Sequence, residues 1–353
     1  MEKTFAYALL TPDSVAKSRT GGILSRLLAE TDLELVGAGF LSGSQQLADA
    51  FRDEFIDPER QGLLFILSGE AAVEKTASVA RALRSQYGHA VLDRDGSRLS
   101  RDFVLAFAES NEAAGDTLAF LAECLSQPGF HALSPAVTGH ERTLVLLKPD
   151  NFEDPSIRPG ALLDHFARTG LYLRAMKIHH MSVAEAEAFY APVLPVLQEV
   201  FRESHGMAVC GFLENTYDEA LRPEDQAVIA GCVGPVMGRL RWEALVEFMS
   251  GTRPSDATVG QRDAPGSRKC LALVYEGKGA VARIRAILGP TDATRAPAGT
   301  VRREFARALM VNAAHASDST ENATREMGLI AMEHNPLAAV LRSRCAVPAE
   351  TAP

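Results

Sequence analysis

Apolar residues along this chain fall into two rhythms, short unbroken runs and longer stretches spaced by three or four. Phe5 to Leu10 is an unbroken run ending at Thr11-Pro12-Asp13, the pattern of a buried strand. Gly22 to Thr31 has helical spacing, and Leu33 to Ala38 predicts a second strand. The middle of the chain repeats this order. Leu144 to Leu147 predicts a strand ending at Lys148-Pro149-Asp150, Gly160 to Thr169 a helix, and Leu171 to Ala175 the start of another strand. Gly22 overlays Gly160, Ala29 overlays Ala167, Thr31 overlays Thr169, and Leu33 and Leu35 overlay Leu171 and Leu173. Further on, Gly69 to Val73 matches Gly277 to Val281, and Arg101-Asp102-Phe103 matches Arg303-Glu304-Phe305. Two copies of one fold are therefore expected.

Each copy reads strand, helix, strand, helix, strand, helix, then a further strand and helix. That order predicts an α+β fold of two ferredoxin-like, split βαβ antiparallel-sheet domains in tandem. The first copy is assigned to residues 1–130 and the second to 139–335, with Pro128, Gly129 and Pro135 breaking the periodicity between them. Helical insertions at about 191–238 and a loop at 252–267 lengthen the second copy. Ser182-Val183-Ala184-Glu185 predicts a capping box opening a helix through Tyr190, which Pro192 and Pro195 then break. Pro223 marks the first turn of another helix, and Arg239 to Met249 predicts one more. Thr252 to Ser267 is rich in Gly, Pro, Asp and Arg and reads as a surface loop. Residues 336–353, rich in Ala and Pro, read as a mobile tail.

Composition narrows the class. With 353 residues, 46% hydrophobic and 23% charged, the chain has ample core for two domains. A formal net charge of −9 with no basic block excludes nucleic acid as the main partner. Any phosphate site must be local, built from a few placed cations. The five cysteines are scattered without zinc-ligand spacing, which suits reduced thiols. The N-terminal apolar run ends by Leu10, too short for a signal or membrane segment, so a cytoplasmic protein without a membrane partner is expected.

Candidate chemistry gathers at Asn312-Ala313-Ala314-His315-Ala316-Ser317-Asp318-Ser319. Ala308 to Asn312 predicts a short strand leading in, and Ser319 an N-cap for a helix over Thr320 to Ile330. Glu326, in the second turn, then leans back toward His315. A histidine oriented by a carboxylate is a nucleophile or general base. The same residues equally describe a histidine satisfied by hydrogen bonds beside a helix cap. Lys148 at a strand end, Arg285 on a helix, and Arg302 after Gly299-Thr300-Val301 suit a polyphosphate, and Thr291 offers a hydroxyl to the same oxygens. Singly, each describes a solvated surface group.

In order, Lys148-Pro149-Asp150, Ile287 to Asp292, Gly299 to Arg302 and Asn312 to Ser319 resemble the motifs of nucleoside diphosphate kinases. The resemblance covers most of Arg142 to Ile330 apart from the insertions. It implies transfer of the γ-phosphate of ATP or another nucleoside triphosphate to a nucleoside diphosphate, by a ping-pong route through a phosphohistidine. Mg²⁺ would ride on the phosphates. Carried over residue by residue, the resemblance makes His315 the nucleophile, with Glu326, helped by Ser317, holding its other ring nitrogen. Lys148, Arg285, Thr291 and Arg302 would bind phosphates, and Asn312 would reach the sugar hydroxyls. Tyr190 would sit beside the transferring phosphoryl group. Family members usually stack the base on a phenylalanine; here the corresponding helix carries Trp242, which either stacks or is core.

In the first copy Thr11 stands where Lys148 does, Ala77 underlies Arg285, Ser100 underlies Arg302, and no histidine occurs between Ala90 and Phe130. An inactive copy packing on the second is expected, with homo-oligomer formation left open. The alternatives are a non-catalytic nucleotide sensor or scaffold, and a phosphohistidine relay to another protein. Retention of the full set argues against the sensor.

Overall fold

The structure, a computed structural model, describes residues 3–42, 51, 61–87, 90–92, 98–101, 104–126, 133, 135–334 and 336–344. The first half runs β1 (Thr4–Leu10), α1 (Pro12–Ala16), α2 (Thr20–Ala29), β2 (Glu34–Ser42), β3 (Gln61–Gly69) and α3 (Ala72–Tyr87). A ribbon of β4 (Ala90–Leu92) and β5 (Arg98–Arg101) follows, then β6 (Leu105–Phe107) and α4 (Asn111–Cys124). Next come β7 (Glu141–Leu147), α5 (Arg158–Ala167) and β8 (Tyr172–His179). A helical stretch holds α6 (Val183–Tyr190), α7 (Val193–Phe201), α8 (Met207–Tyr217), α9 (Pro223–Ser250) and α10 (Val259–Arg262). The chain ends with β9 (Cys270–Gly277), α11 (Ala280–Leu288), α12 (Val301–Phe305), β10 (Ala314–Ala316), α13 (Thr320–Leu329) and α14 (Leu337–Arg344). Two compact units result, Met1–His179 with Leu271–Pro353, and His180–Cys270.

The first unit contains two four-stranded antiparallel sheets with helices, the expected α+β architecture. Their strand orders are β2-β3-β1-β6 and β8-β9-β7-β10, one arrangement used twice. Register repeats as well. Thr4 opposite Gly69 through Leu10 opposite Leu63 is matched by Glu141 opposite Gly277 through Leu147 opposite Leu271. On the other side, Leu9 faces Ala106 as Leu146 faces His315. The apolar runs explain why: Leu9, Leu10, Leu64, Phe65, Leu146, Leu147, Leu271 and Leu273 are wholly buried. Such runs are stable only as interior strands covered on both faces.

The two copies diverge after the helices α3 and α11. Helix α3 runs on to Tyr87, whereas α11 stops at Leu288, where Gly289 adopts a left-handed φ of 83°. The expected match of Arg101-Asp102-Phe103 with Arg303-Glu304-Phe305 does not carry into structure. Arg101 ends strand β5, while Arg303 and Phe305 lie in α12; Asp102 and Phe103 fall outside the described residues. The longer helix uses up residues that form a loop in the second copy.

Helices α2 and α5, equivalent in the repeat, pack against each other, as do strands β2 and β8. Close approach depends on two glycines. A Cβ on Gly160 would overlap the Gly21 carbonyl oxygen and Ser25, and one on Gly21 would overlap the Gly160 carbonyl oxygen and Asp164. Ser25 adds a hydrogen bond from its Oγ to the Ile157 carbonyl at 3.2 Å. The segment read as a mobile tail carries helix α14, with Leu337 and Leu341 buried. It packs on β2 and α4, and Leu337 Cδ1 lies where a Cβ on Gly37 would be only 2.6 Å away. Residues 345–353 of that segment lie outside the described residues.

In the helical unit, Ser182 and Glu185 form the expected capping box at α6. Val193 opens a new helix after the break at Pro192, and Pro223 begins α9 as anticipated. Helix α9 is continuous from Pro223 to Ser250, where a break near Gly238 was expected. Gly234 and Gly238 do not interrupt it because they face α7 and let the two helices meet: a Cβ on Gly238 would lie 2.6 Å from Gln198. Among the described residues no helix is long and apolar enough to cross a membrane.

The glycine contact gives a direct test of the packing between α2 and α5. Gly160→Ala should destabilise the protein by about 1–3 kcal/mol, because neither the Gly21 carbonyl nor the Ser25 backbone can move aside cheaply. Gly115→Ala in α4, with open space around the added methyl, should be neutral or stabilising by up to about 1 kcal/mol. Denaturant unfolding of the two variants should separate them in that direction.

Candidate active site

Strand β7 delivers Lys148 to the end of the second sheet, where the chain turns through a short 3₁₀ segment at Pro149–Asn151. The Lys148 side chain is buried, and its Nζ donates to Asn312 Oδ1 at 2.7 Å and to the Met310 carbonyl at 3.2 Å. Burial, reinforced by the charge of Arg302 and opposed by Asp150, lowers its pKa to about 8. Asn312 Nδ2 in turn donates to the Leu309 carbonyl at 2.8 Å. The loop Arg307 to Asn312 thus wraps around the ammonium. That explains why the strand expected over Ala308 to Asn312 is absent and a three-residue strand, Ala314–Ala316, forms instead.

Ala313 joins loop to strand with φ of 67°, a left-handed conformation that costs an alanine about 1 kcal/mol or more. Its carbonyl accepts from Lys148 N–H at 2.9 Å and from Asn151 Nδ2 at 2.7 Å, which holds it there. Two hydrogen bonds therefore support the strained residue just before the histidine.

His315 sits in the middle of β10. Its Nε2 lies 2.9 Å from Glu326 Oε2, and the buried Ser317 hydroxyl donates to the same oxygen at 2.7 Å. An ionised carboxylate only accepts, so in this contact Nε2 is the donor and Nδ1 is the other ring nitrogen. Glu326 reaches back because it lies in α13, whose N-cap Ser319 accepts from Asn322 N–H, as the sequence predicts. Its side chain is nearly buried.

Arg302, also nearly buried in α12, donates to the Gly289 carbonyl at 3.0 Å, the Ala314 carbonyl at 3.3 Å and Thr291 Oγ1 at 3.4 Å. Arg285 is exposed on α11, and its charge helps hold the Asp318 carboxyl below the usual range, after the larger effect of the Asn322 hydrogen bond. Lys148, Arg285, Thr291, Arg302, Asn312, His315, Ser317 and Glu326 thus come together at one end of one sheet. Tyr190 and Trp242 belong to the helical unit, where the Trp242 indole N–H donates to the Tyr190 carbonyl at 2.9 Å. Tyr190 is buried and Trp242 half-buried.

Two residues of the site were given no role by the sequence, although Asp150 belongs to the Lys148-Pro149-Asp150 motif. Asn151 bridges the Lys148 and Ala313 carbonyls, and Asp150, buried 3.5 Å from Arg158, sits beneath Lys148. Burial pushes the Asp150 carboxyl up, against the pull of Lys148 and Arg158. Both follow Lys148 directly, but their partners are visible only once β10 is laid beside β7. A cavity of about 510 Å³ in the first unit, lined by Thr20, Leu163, Tyr172, Arg174 and Tyr275 among others, contains none of these groups. The buried cations and the paired imidazole meet at His315 instead.

In the first copy the corresponding residues differ. Ala106 occupies the position of His315, and Ala77 is buried in α3 where α11 presents Arg285. Ser14 Oγ donates to the Val104 carbonyl at 2.8 Å beside Thr11. Arg84, on the extended part of α3, donates to the Leu105 carbonyl at 2.9 Å and lies over the Phe107 ring.

The family model described as nucleoside diphosphate kinase matches residues 262–335. The nucleoside diphosphate kinase of Anaeromyxobacter sp. (strain Fw109-5) is 32% identical over 188 residues, covering 53% of this chain and 87% of the relative. That of Helicobacter pylori (strain Shi470) is 30% identical over 187 residues, covering 53% and 92%. A crystal structure of the Aquifex aeolicus nucleoside diphosphate kinase is 27% identical with a TM-score of 0.33, covering 54% of this chain and 94% of its own.

The depressed Lys148 pKa predicts that any anion binding at this site is pH-dependent. Its ammonium is charged below about 8 and neutral above. ATP affinity, measured by calorimetry, should therefore weaken about tenfold or more between pH 7.5 and 9.5. Lys148→Met should bind more weakly and lose that dependence; the same slope in both proteins would place the titrating group elsewhere. Stability moves the opposite way. The unfolded lysine holds its proton to about 10.4, so this group adds stability as pH rises from about 8 toward that value.

Proposed function

The chain belongs to the nucleoside diphosphate kinase family, and on that footing we propose that it moves the γ-phosphate of a nucleoside triphosphate to a nucleoside diphosphate through a phosphohistidine on His315. The observation that carries this reading is the single oxygen of Glu326 that meets both His315 Nε2 and Ser317 Oγ, beside two buried cations. A histidine satisfied only as a helix-cap neighbour has no use for Lys148 and Arg302 packed close enough to repel each other. A polyphosphate relieves that repulsion, and Arg302 offers its oxygens a planar set of donors.

In the first half-reaction Nδ1 attacks the γ-phosphorus. The N–P bond forms as the bond from phosphorus to the bridging oxygen breaks, and that electron pair leaves with the nucleoside diphosphate. Glu326 stabilises the positive ring at Nε2–H while Ser317 keeps the carboxylate aligned. In the second half-reaction a β-phosphate oxygen of the acceptor attacks the same phosphorus, and the electron pair returns to Nδ1. One site thus serves two similar steps, the basis of ping-pong kinetics. Lys148, Arg285, Thr291 and Arg302 hold the phosphates in line and offset charge on the transferring group; most of the acceleration comes from this positioning. Asn312, which matches the family motif, would meet the sugar hydroxyls.

Among the described residues no cluster of three or more His, Cys, Asp or Glu could hold a metal ion. Mg²⁺ fits as part of the substrate, carried on phosphate oxygens whose charge it neutralises. The first copy acts as support: Ala106 and Ala77 remove the nucleophile and one cation, and Arg84 closes the space.

The test is incubation with γ-labelled ATP and excess GDP. Labelled GTP should form rapidly, and His315→Gln should reduce its formation by at least about 10³-fold. Acid-labile label retained on the protein without GTP would support a relay to another protein, and neither product would support a nucleotide sensor.

A further inference from the structure

Lys177 is the second buried lysine of the catalytic sheet, and the mechanism above gives it nothing to do. It lies in β8, is only 3% exposed, and comes from the sheet edge opposite β10. Its ammonium donates to three main-chain carbonyls, Ile330 at 2.6 Å, Ala331 at 2.8 Å and His334 at 3.0 Å. These belong to the turn that ends α13. Ile330 N–H donates to the Glu326 carbonyl, so the turn Lys177 grips follows Glu326 by one helical step.

That turn is not self-sufficient. Ala331 has φ of 47°, a conformation that glycine adopts freely and alanine resists. The last carbonyls of a helix also lack partners within it and carry partial negative charge. A buried ammonium answers both needs, and burying one is costly unless it is paired. On its far side the same chain continues into α14, with Leu337 and Leu341 buried against β2 and α4 of the first copy. The turn is therefore held from two directions. Strand β2 of the first copy, Glu34–Ser42, contains no lysine or arginine, and that copy also lacks the histidine.

We propose that Lys177 is a positioning residue for phosphoryl transfer: by clamping the turn after α13 it fixes the helix so that the Glu326 carboxylate meets His315 Nε2. The inference rests on His315 being the phosphoryl acceptor. Glu326 reaches His315 from the middle of a ten-residue helix whose first turn is set by Ser319. Lys177 sets the other end. Without it the helix can slide or rotate by a fraction of an ångström, enough to misalign a carboxylate that must meet a ring nitrogen and a hydroxyl together.

The full chain with Lys177→Met, Lys177→Gln and Lys177→Arg should be compared with Glu326→Gln. Two readouts are needed: kcat and KM for ATP-to-GDP exchange, and the downfield proton NMR signal of the His315 imidazole Nε2–H. In Lys177→Met we expect kcat to fall about 10- to 100-fold with KM changed less than about threefold, and the imidazole signal to shift or broaden as in Glu326→Gln. Lys177→Arg should recover much of both. If Lys177→Met does not fold, Lys177→Gln, which keeps two donors without the charge, carries the same expectations in weaker form. A folded Lys177→Met or Lys177→Gln with native kcat and a native imidazole signal overturns the proposal. If the native protein forms no GTP, the phosphotransfer reading fails, while the imidazole signal still decides whether Lys177 positions Glu326.

Discussion

The contact between His315 Nε2 and Glu326 Oε2 is the interaction on which the rest of the proposed chemistry depends. An imidazole has two nitrogens, and it attacks from a defined one only if the other is committed. Glu326 commits Nε2, and Ser317 commits the carboxylate oxygen in its turn. The flanking structure serves that alignment. Strand β10 is three residues long and survives because it is paired to β7, one of the most buried strands in the sheet. Helix α13 is fixed at its start by the Ser319 cap and at its end by the ammonium of Lys177.

Placing cations beside the proposed nucleophile, which gains positive charge in that mechanism, is unfavourable until an anion arrives. The protein accepts that cost. Lys148 is buried near Arg302, and both spend their donors on carbonyls, an amide oxygen and a hydroxyl. Ala313 and Ala331 both hold left-handed backbone, one before the histidine and one after the helix that orients it. Strain of this kind persists where surrounding hydrogen bonds over-determine the conformation, and here each residue has a lysine at its carbonyl or its neighbours'. Stability is thus traded for a site shaped before the nucleotide binds.

Much of this was legible in the residues. Apolar runs defined the interior strands, and the internal repeat carried the topology; the shared register, and Ala106 at the position of His315, emerge only from the strand pairing. The Ser319 cap and the reach of Glu326 followed from helical spacing alone. What escaped the sequence depends on contacts distant along the chain. A three-residue strand is too short for periodicity to reveal, and the loop before it is shaped by Lys148, far upstream. Helix α9 runs through Pro235 and two glycines, and α7 packs on Gly234 and Gly238. The Ala-rich tail forms α14 because Gly37 leaves room for Leu337. Lys177 and Asn151 are ordinary polar residues until their carbonyl partners are brought beside them.

The central claim is that Glu326 reserves Nε2, so that phosphorus bonds to Nδ1. Protein treated with ATP in the absence of an acceptor, then analysed intact by ³¹P–¹H correlation NMR under alkaline conditions, tests this most directly. One phosphoramidate should form, on Nδ1 of His315, and be discharged by added nucleoside diphosphate. Phosphate on Nε2, or on Ser317 or Ser319 with His315 unmodified, would contradict it.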